Sequence, residues 1–329
     1  MQTHSVKPLG IGLIGAGKHG VRYAHHIVED IPQAELVSVC RRNRSAGEQL
    51  AATYGCHYHT TYDQLIADQN VDAIAIVVPP ALHGAIVAAA CRAGKHILIE
   101  KPFAVSGAEA QRISAIIESS PIRCMVAQTL RFNNVVQTLK QHLSAIAPLH
   151  SLHLSQRFEP SSLAWLDRKA ESGGGIILHT GVHSFDLLYF LSGRETTQVW
   201  CQTKTIFTRE TEDNFQMYGR TTDPLLTVQV SGSRSTQSRS GLIEITGENG
   251  QLVGDHAHNF AYLLRGRKRI PVSVPPPVPT VKEAVQAFVD ALQNDTPFPV
   301  TVGDGLRAVA IAEACCRSAE TGQIANVIQ

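Results

Sequence analysis

The chain reads as an α/β protein in two parts: a doubly wound parallel sheet, then an α+β domain with a large, mainly antiparallel sheet. Three observations predict this. At 329 residues the chain exceeds what one ordinary hydrophobic core serves, so two domains are expected. Up to about Cys124, continuous apolar runs alternate with helix-like stretches, the mark of parallel strands covered on both faces. After about Arg131, alternating strands follow one another without helices between them, which predicts antiparallel pairing.

In the first part the apolar runs are "LGIGLIGAG", "AELVSVC", "VDAIAIVVPP", "KHILIEKP" and "IRCMVAQ". Helical stretches such as "GVRYAHHIVED", "ALHGAIVAAACRAG" and "SGAEAQRISAIIES" separate them. His57 and His59, on the run-up to a helix, read as surface or turn residues. In the second part "LHSLHLSQRFE", "TTQVWCQTKTIFT", "NFQMYGRTT", "LLTVQVSGSRS" and "SGLIEITGENGQLVGD" read as strands, with a turn at Glu248-Asn249-Gly250. "SGSRSTQSRSG" reads as a hairpin connection whose Arg234 and Arg239 sit in water. The main helical candidate is "SGGGIILHTGVHSFDLLYFLSG", apolar at Ile177, Phe185, Leu188 and Leu191 and stopped by Gly193. "IPVSVPPPVPTVKEAV" is an extended proline-rich connector ending at a helix start near Thr280, and two amphipathic helices close the chain.

Bulk composition excludes several classes. With 43% hydrophobic residues, 17% charged residues and a formal net charge of +1, nothing draws the chain to nucleic acid or anionic lipid. No apolar run approaches the roughly 20 residues that span a bilayer. The opening "MQTHSVKPLG" has no charged segment leading into an apolar one, so a cytoplasmic protein is expected. Seven cysteines without metal-type C-x-x-C spacing read as buried, reduced thiols.

Two regions carry chemistry. Gly15, Gly17 and Gly20 form "GAGKHG" directly after an apolar strand and at a helix start, with Lys18 and His19 between them. Small residues let the main chain approach a pyrophosphate, and the helix N-terminus supplies free N–H groups and partial positive charge, so dinucleotide binding follows. At the end of the second run, "VCRRNRS" replaces the acidic residue that accepts from the ribose hydroxyls of NAD. Arg41 and Arg42, with Arg44 and Ser45, favour a 2′-phosphate and hence NADP(H), with NAD as the alternative. Glu100, Lys101 and Pro102 end the fourth run, at the strand end where ligands of such sheets gather, and Pro102 restricts the backbone of the lysine.

The second region is "GGGIILHTGVHSFD". On a regular α-helix His179, His183 and Asp186 are spaced i, i+4, i+7 and share a face. Two readings stand at this point: a metal site, since paired imidazoles one turn apart suit zinc, and a proton-transfer or substrate site, since histidine is the commonest general base.

The chain resembles the glucose-fructose oxidoreductase and inositol dehydrogenase (Gfo/Idh/MocA) family, on "GLIGAGKHG", "VVPPALHGAIVAAACRAGKHILIEKP", "SGGGIILHTGVHSFDLL" and "VTVGDGLRAVAIAEACCRSAETG". The resemblance implies a Rossmann domain, set at residues 1–126, and a substrate-binding and oligomerisation domain at 127–329, with the helices at about 280–320 packing back toward the first. It implies a nicotinamide cofactor, a sugar, polyol or related carbonyl substrate, and a homodimer or homotetramer through an open sheet. Lys101 inherits a place near the reacting oxygen and His183 the acid/base or ligand role, while Pro79, Pro80 and His83 match the loop beside the nicotinamide. Arg131 matches a polar junction where substrate contacts occur; Trp165 and Arg168, just before the glycines, are candidates to close over a substrate, with a structural role as the alternative for each. One departure stands out: His179 occupies the position where relatives commonly carry aspartate, so permanent negative charge beside His183 is missing; if the two imidazoles share a proton or a substrate hydroxyl, they titrate as a coupled pair. Asp186 orients a neighbour. No metal is expected, for want of a third ligand. Two rivals keep the cofactor: a dinucleotide-sensing protein without catalysis, and hydrolysis or elimination through transient oxidation.

Overall fold

A computed structural model describes residues 7–328; the opening residues read above for a leader lie, up to residue 6, outside the described residues. The chain divides into two compact units, one comprising residues up to 104, 108–128 and 279–304, the other 105–107, 129–278 and 305 onward.

In the first unit the elements alternate: β1 (Leu9–Ile14), α1 (Gly20–Glu29), β2 (Ala34–Cys40), α2 (Arg44–Tyr54), β3 (His57–His59), α3 (Tyr62–Ile66), β4 (Ala73–Ile76), α4 (His83–Arg92), β5 (His96–Glu100), α5 (Gly107–Glu118) and β6 (Cys124–Ala127). The strands form one parallel sheet in the order β3-β2-β1-β4-β5-β6. Every residue of β4 and β6 is buried, because helices cover both faces of a parallel sheet. β1 lies at the centre, where the order reverses between β2 and β4, and ligands of open α/β sheets bind outside the strand ends at such a point. β3 is the strand the pattern hid. It is three residues long with no apolar run, and it exists because His57–His59 pair with Ser38–Cys40 of β2.

The second unit holds α6 (Asn134–His142), β7 (Leu149–Arg157), α7 (Lys169–Ser172), a π-helical turn (Ile177–Gly181), α8 (Val182–Ser192), β8 (Thr196–Lys204), β9 (Asn214–Thr221), β10 (Thr227–Ser233), β11 (Ser240–Gly247), β12 (Gly250–Asp255), β13 (Phe260–Arg265) and β14 (Lys268–Val272). The chain then supplies α9 (Thr280–Gln293), which belongs to the first unit and packs on α1, and α10 (Val302–Thr321), which belongs from Gly305 onward to the second, before β15 (Ala325–Asn326). The nine-stranded sheet runs β14-β13-β12-β11-β7-β10-β9-β8-β15, antiparallel except between β7 and β10. Its strands bury alternate residues, such as Leu152 and Leu154 on β7 and Ile243 and Ile245 on β11. These form one core with Val135 and Leu139 of α6, Phe185 and Leu188 of α8, and Ile311 and Cys315 of α10. Each aliphatic or aromatic side chain of this core contributes roughly 1.5–3 kcal/mol on full burial.

Two expectations change. "SGSRSTQSRSG" is no hairpin: β7 lies between β10 and β11, so the segment crosses over a strand, a topology that local pattern does not encode. The proline-rich connector begins inside β14, where Ile270, Pro271 and Val272 pair with β13; Pro271 is tolerated because β14 is an edge. Gly250, at φ 141°, makes the tight β11–β12 turn expected from Glu248-Asn249-Gly250. The seven cysteines are unpaired, and burial pushes the Cys40 and Cys56 thiols up to about 11. No helix among the described residues is long and apolar enough to cross a membrane.

Candidate active site

The glycine loop after β1 is shaped by two contacts that exclude side chains. A Cβ on Gly15, whose φ is +100°, would lie 2.0 Å from the Val77 carbonyl, and one on Gly20 would lie 2.1 Å from the Gly15 carbonyl. Gly17 differs, with nothing within 4 Å of where its Cβ would stand. It marks open space at the start of α1. That helix has no side-chain cap and no acidic residue in its first turn, while Lys18 and His19 are exposed. Uncapped N–H groups beside an open glycine fit a pyrophosphate.

Beneath the loop lies a carboxylate node. Tyr23 Oη and His19 Nε2 both donate to Oε1 of Glu100 at 2.6 Å, and the Lys101 amide donates to Oε2 at 3.0 Å. Burial by itself would push the Glu100 carboxyl up, but His19, Lys101 and Tyr23 outweigh it and hold the group below the usual carboxylate range. Burial and then Glu100 push the Tyr23 phenol well up. One carboxylate therefore ties the glycine-motif helix to the end of β5, where Lys101 stands half-buried. The Lys101–Pro102 bond is cis.

The other residues expected at the cofactor lie after β4 and at the end of β2. Pro79 and Pro80 follow β4 and open a short 3₁₀ turn. His83 is fully buried, with Nδ1 3.2 Å from the Phe103 carbonyl and Nε2 3.1 Å from that of Val78. Burial lowers its pKa, and a neutral ring so enclosed braces the loop from within. At the end of β2 the Arg44 guanidinium pairs with Glu48 at 2.8 Å, on the surface. Arg41 is half-buried and Arg42 exposed, and neither side chain makes a hydrogen bond or ion pair among the described residues.

In the second unit the helix carrying the histidines is not regular. Its first turn, Ile177–Gly181, is π-helical, so the i, i+4, i+7 face expected of His179, His183 and Asp186 is broken by an extra residue in the turn. His179 is buried, its Nε2 donates to the Ser172 carbonyl at 2.9 Å, and its ring meets Trp165 edge to face with centroids 5.4 Å apart. His183 is half-buried on α8. Asp186 takes Arg131 in a two-pronged pair, from Nε at 2.7 Å and Nη2 at 2.6 Å. Arg131 is only 6% exposed and stacks on Phe190, so its fork is committed inside the fold. Arg168 is exposed and bound to Glu171 at 2.5 and 3.0 Å. Among the described residues, the one group of three side chains within metal-binding reach of each other is His25 and His26 of α1 with Asp30 at its end, and it includes neither His179 nor His183.

Sequence reading missed three participants. Tyr23, four residues after His19, was within reach of helix-spacing logic. Glu212 accepts from Gly175 N and Ile177 N, and Arg234, read as a solvated loop charge, donates to Thr180 Oγ1 at 2.7 Å. No local signal announces either. A groove of about 870 Å³ at the β11–β12 turn, lined by Thr246, Asn249 and Arg265 among others, includes none of the residues above.

A parallel sheet with a glycine cradle at its central strand and a lysine held at the end of β5, two strands away, defines a dinucleotide-binding oxidoreductase. The chain belongs to the Gfo/Idh/MocA family. Residues 9–128 match its oxidoreductase domain, described as an NAD-binding Rossmann fold, and residues 143–253 match its C-terminal domain. Inositol 2-dehydrogenase of Rhizobium meliloti (strain 1021) is 25% identical over 95% of this chain and 98% of its own length. Among solved structures, an oxidoreductase domain protein from Kribbella flavida covers 98% of this chain and 100% of its own at 22% identity, with a TM-score of 0.89. Levoglucosan dehydrogenase in complex with NADH gives the same coverages and identity at 0.88, and both share the fold.

Proposed function

We propose that the protein moves hydride between a nicotinamide dinucleotide, with NADP(H) preferred, and a hydroxyl-bearing carbon of a sugar, polyol or related small carbonyl compound. The Glu100 node carries this reading: it binds the glycine-motif helix and the Lys101 amide to one buried carboxylate, so the lysine is borne at the edge of the dinucleotide cradle. Gly15, Gly17, Lys18, His19 and Gly20 would hold the pyrophosphate, and Arg41 and Arg42 a 2′-phosphate. When bound, the nicotinamide supplies or takes up the hydride. Lys101 polarises the substrate oxygen and His183 exchanges its proton. His179, with Nε2 given to Ser172, supports the turn under Trp165 and takes the lesser share in that transfer. The kinship with a protein named inositol 2-dehydrogenase supports the substrate class. We place the enzyme in the cytoplasm, where seven free thiols stay reduced. We assign it a homodimer or homotetramer through the face of the nine-stranded sheet bearing the Trp200–Tyr218 ring pair, on which Tyr218 is 48% exposed.

Absorbance of the reduced nicotinamide, followed with a panel of sugars and polyols and each dinucleotide, tests the reading. kcat/KM should favour NADPH over NADH, and Lys101→Ala should remove most of kcat while the dinucleotide Kd holds. A Lys101→Ala enzyme turning over at the wild-type rate would end the assignment, and a clear NADH preference would end that of NADP(H).

A further inference from the structure

We infer that Glu212, in the connector between β8 and β9, is a positioning residue that caps the His179–His183 helix from outside and so fixes the bearing of its π-helical turn. The inference rests on the role proposed for His183.

The helix begins at Ile176 after three glycines, none of which can offer a side-chain acceptor to the first N–H groups. Glu212 supplies what they lack. Its carbonyl accepts from Ile176 N at 2.9 Å, and its carboxylate accepts from Gly175 N at 3.1 Å and from Ile177 N at 3.0 Å. A Cβ on Gly175 would stand 2.0 Å from the Glu212 carbonyl and 2.7 Å from the carboxylate, so Gly175 is there to admit Glu212.

The connector is itself held stiffly. The Asp213 carboxylate accepts from the N–H groups of Ile206, Phe207 and Thr208, and that of Asp167 from those of Arg209, Glu210 and Thr211. Glu210 returns the contact by accepting from Lys169 N at 3.0 Å. Carboxylates on each segment thus bind backbone on the other, and Glu212 is fixed at the glycines rather than swinging on a free loop.

What the cap controls is register. A π-helical turn holds one residue more than an α-turn, and shifting that extra residue swings the parts on either side by about 100° relative to each other. Pinning the first N–H groups from outside keeps the extra residue at Ile177–Gly181, with His179 under Trp165 and His183 at the start of α8.

Reach and charge can be separated. Glu212→Gln keeps a carbonyl oxygen where Oε1 now accepts from both Gly175 and Ile177; Glu212→Asp keeps the charge but withdraws it by one bond, about 1.5 Å. With the full-length enzyme, Glu212→Asp and Glu212→Ala should lose roughly 5- to 30-fold in kcat, the factor an ordinary cap is worth, with NADPH affinity unchanged and faster amide exchange across residues 175–181. Glu212→Gln should stay within about twofold of wild type in all three. Full activity in the Asp variant with loss in the Gln variant, unchanged exchange in both, or a loss confined to NADPH affinity would each overturn the inference. Should Glu212→Ala not fold, the Asp and Gln pair decides. A wild-type enzyme inert toward every sugar and polyol would sink the oxidoreductase reading alone, since the exchange data would still report whether Glu212 holds the turn.

Discussion

Truncating Glu100 to alanine should destabilise the first unit by about 2–4 kcal/mol, a figure built from its three donors. The Tyr23 hydroxyl is fully buried and loses the acceptor 2.6 Å away, which costs about 1–3 kcal/mol for an orphaned group. The Lys101 amide loses a bond to a charged acceptor, about 1 kcal/mol or more. His19, 45% exposed, regains water and adds little. Removing the buried charge also removes its own desolvation cost, which keeps the total at this level. Thermal unfolding reads the result directly, at about 2–4 °C per kcal/mol for a body of this size. Adding Tyr23→Phe to Glu100→Ala should recover part of the loss, because the orphaned hydroxyl disappears.

The pH dependence has a definite sign. Because Glu100 titrates lower in the folded chain than a free carboxylate, its stabilisation is complete above the ordinary carboxylate range and fades as pH falls through the depressed value. The gap in Tm between wild type and Glu100→Gln should therefore be widest near neutrality and close on strong acidification. A gap that stays constant with pH, or a Glu100→Ala shift below about 2 °C, would refute the account of the node.

Gly17→Ala should leave Tm unchanged, since its Cβ meets nothing, yet weaken the dinucleotide Kd by at least about tenfold in titration calorimetry, because a methyl group would fill the pyrophosphate position. Gly20→Ala, facing the Gly15 carbonyl at 2.1 Å, should fail on stability before binding is measured. Asp186→Asn should cost about 3–5 kcal/mol in denaturant unfolding by leaving the Arg131 guanidinium buried with half its partner. The double change Arg131→Met with Asp186→Leu should cost less than that single one.

Local pattern revealed most of the fold. Five of six parallel strands announced themselves as apolar runs, and α9 as spacing: its buried Val281, Ala284, Val285, Phe288 and Val289 recur at helical intervals. The failures share a cause. β3 exists only through its neighbour, the β10–β11 segment crosses a strand contributed some 80 residues earlier, and Pro271 reads as a strand residue only once β14 is known to be an edge. Pairing partners lie outside any window in which periodicity can be read.

The same division runs through the site, and glycines show where it falls. A run such as Gly173-Gly174-Gly175 implies that something approaches closely, because side chains are absent where a helix should begin; what approaches is not written there. Glu212 comes from 37 residues away, the Glu100 partner of His19 from 81, and the Asp186 partner of Arg131 from 55. Glu100 and Asp186 stand in stretches that the motifs mark, Glu212 in one that nothing marks, and the partner of each is met only when the chain closes on itself. The sequence thus marks the space that must stay open, and the tertiary fold supplies the carboxylate that fills it. Arg131 and Arg168 show what reading charge without partners leaves out: the structure sets Asp186 and Glu171 against them. The 2′-phosphate contact proposed for NADP(H) rests on Arg41 and Arg42, whose guanidinium groups have no partner among the described residues.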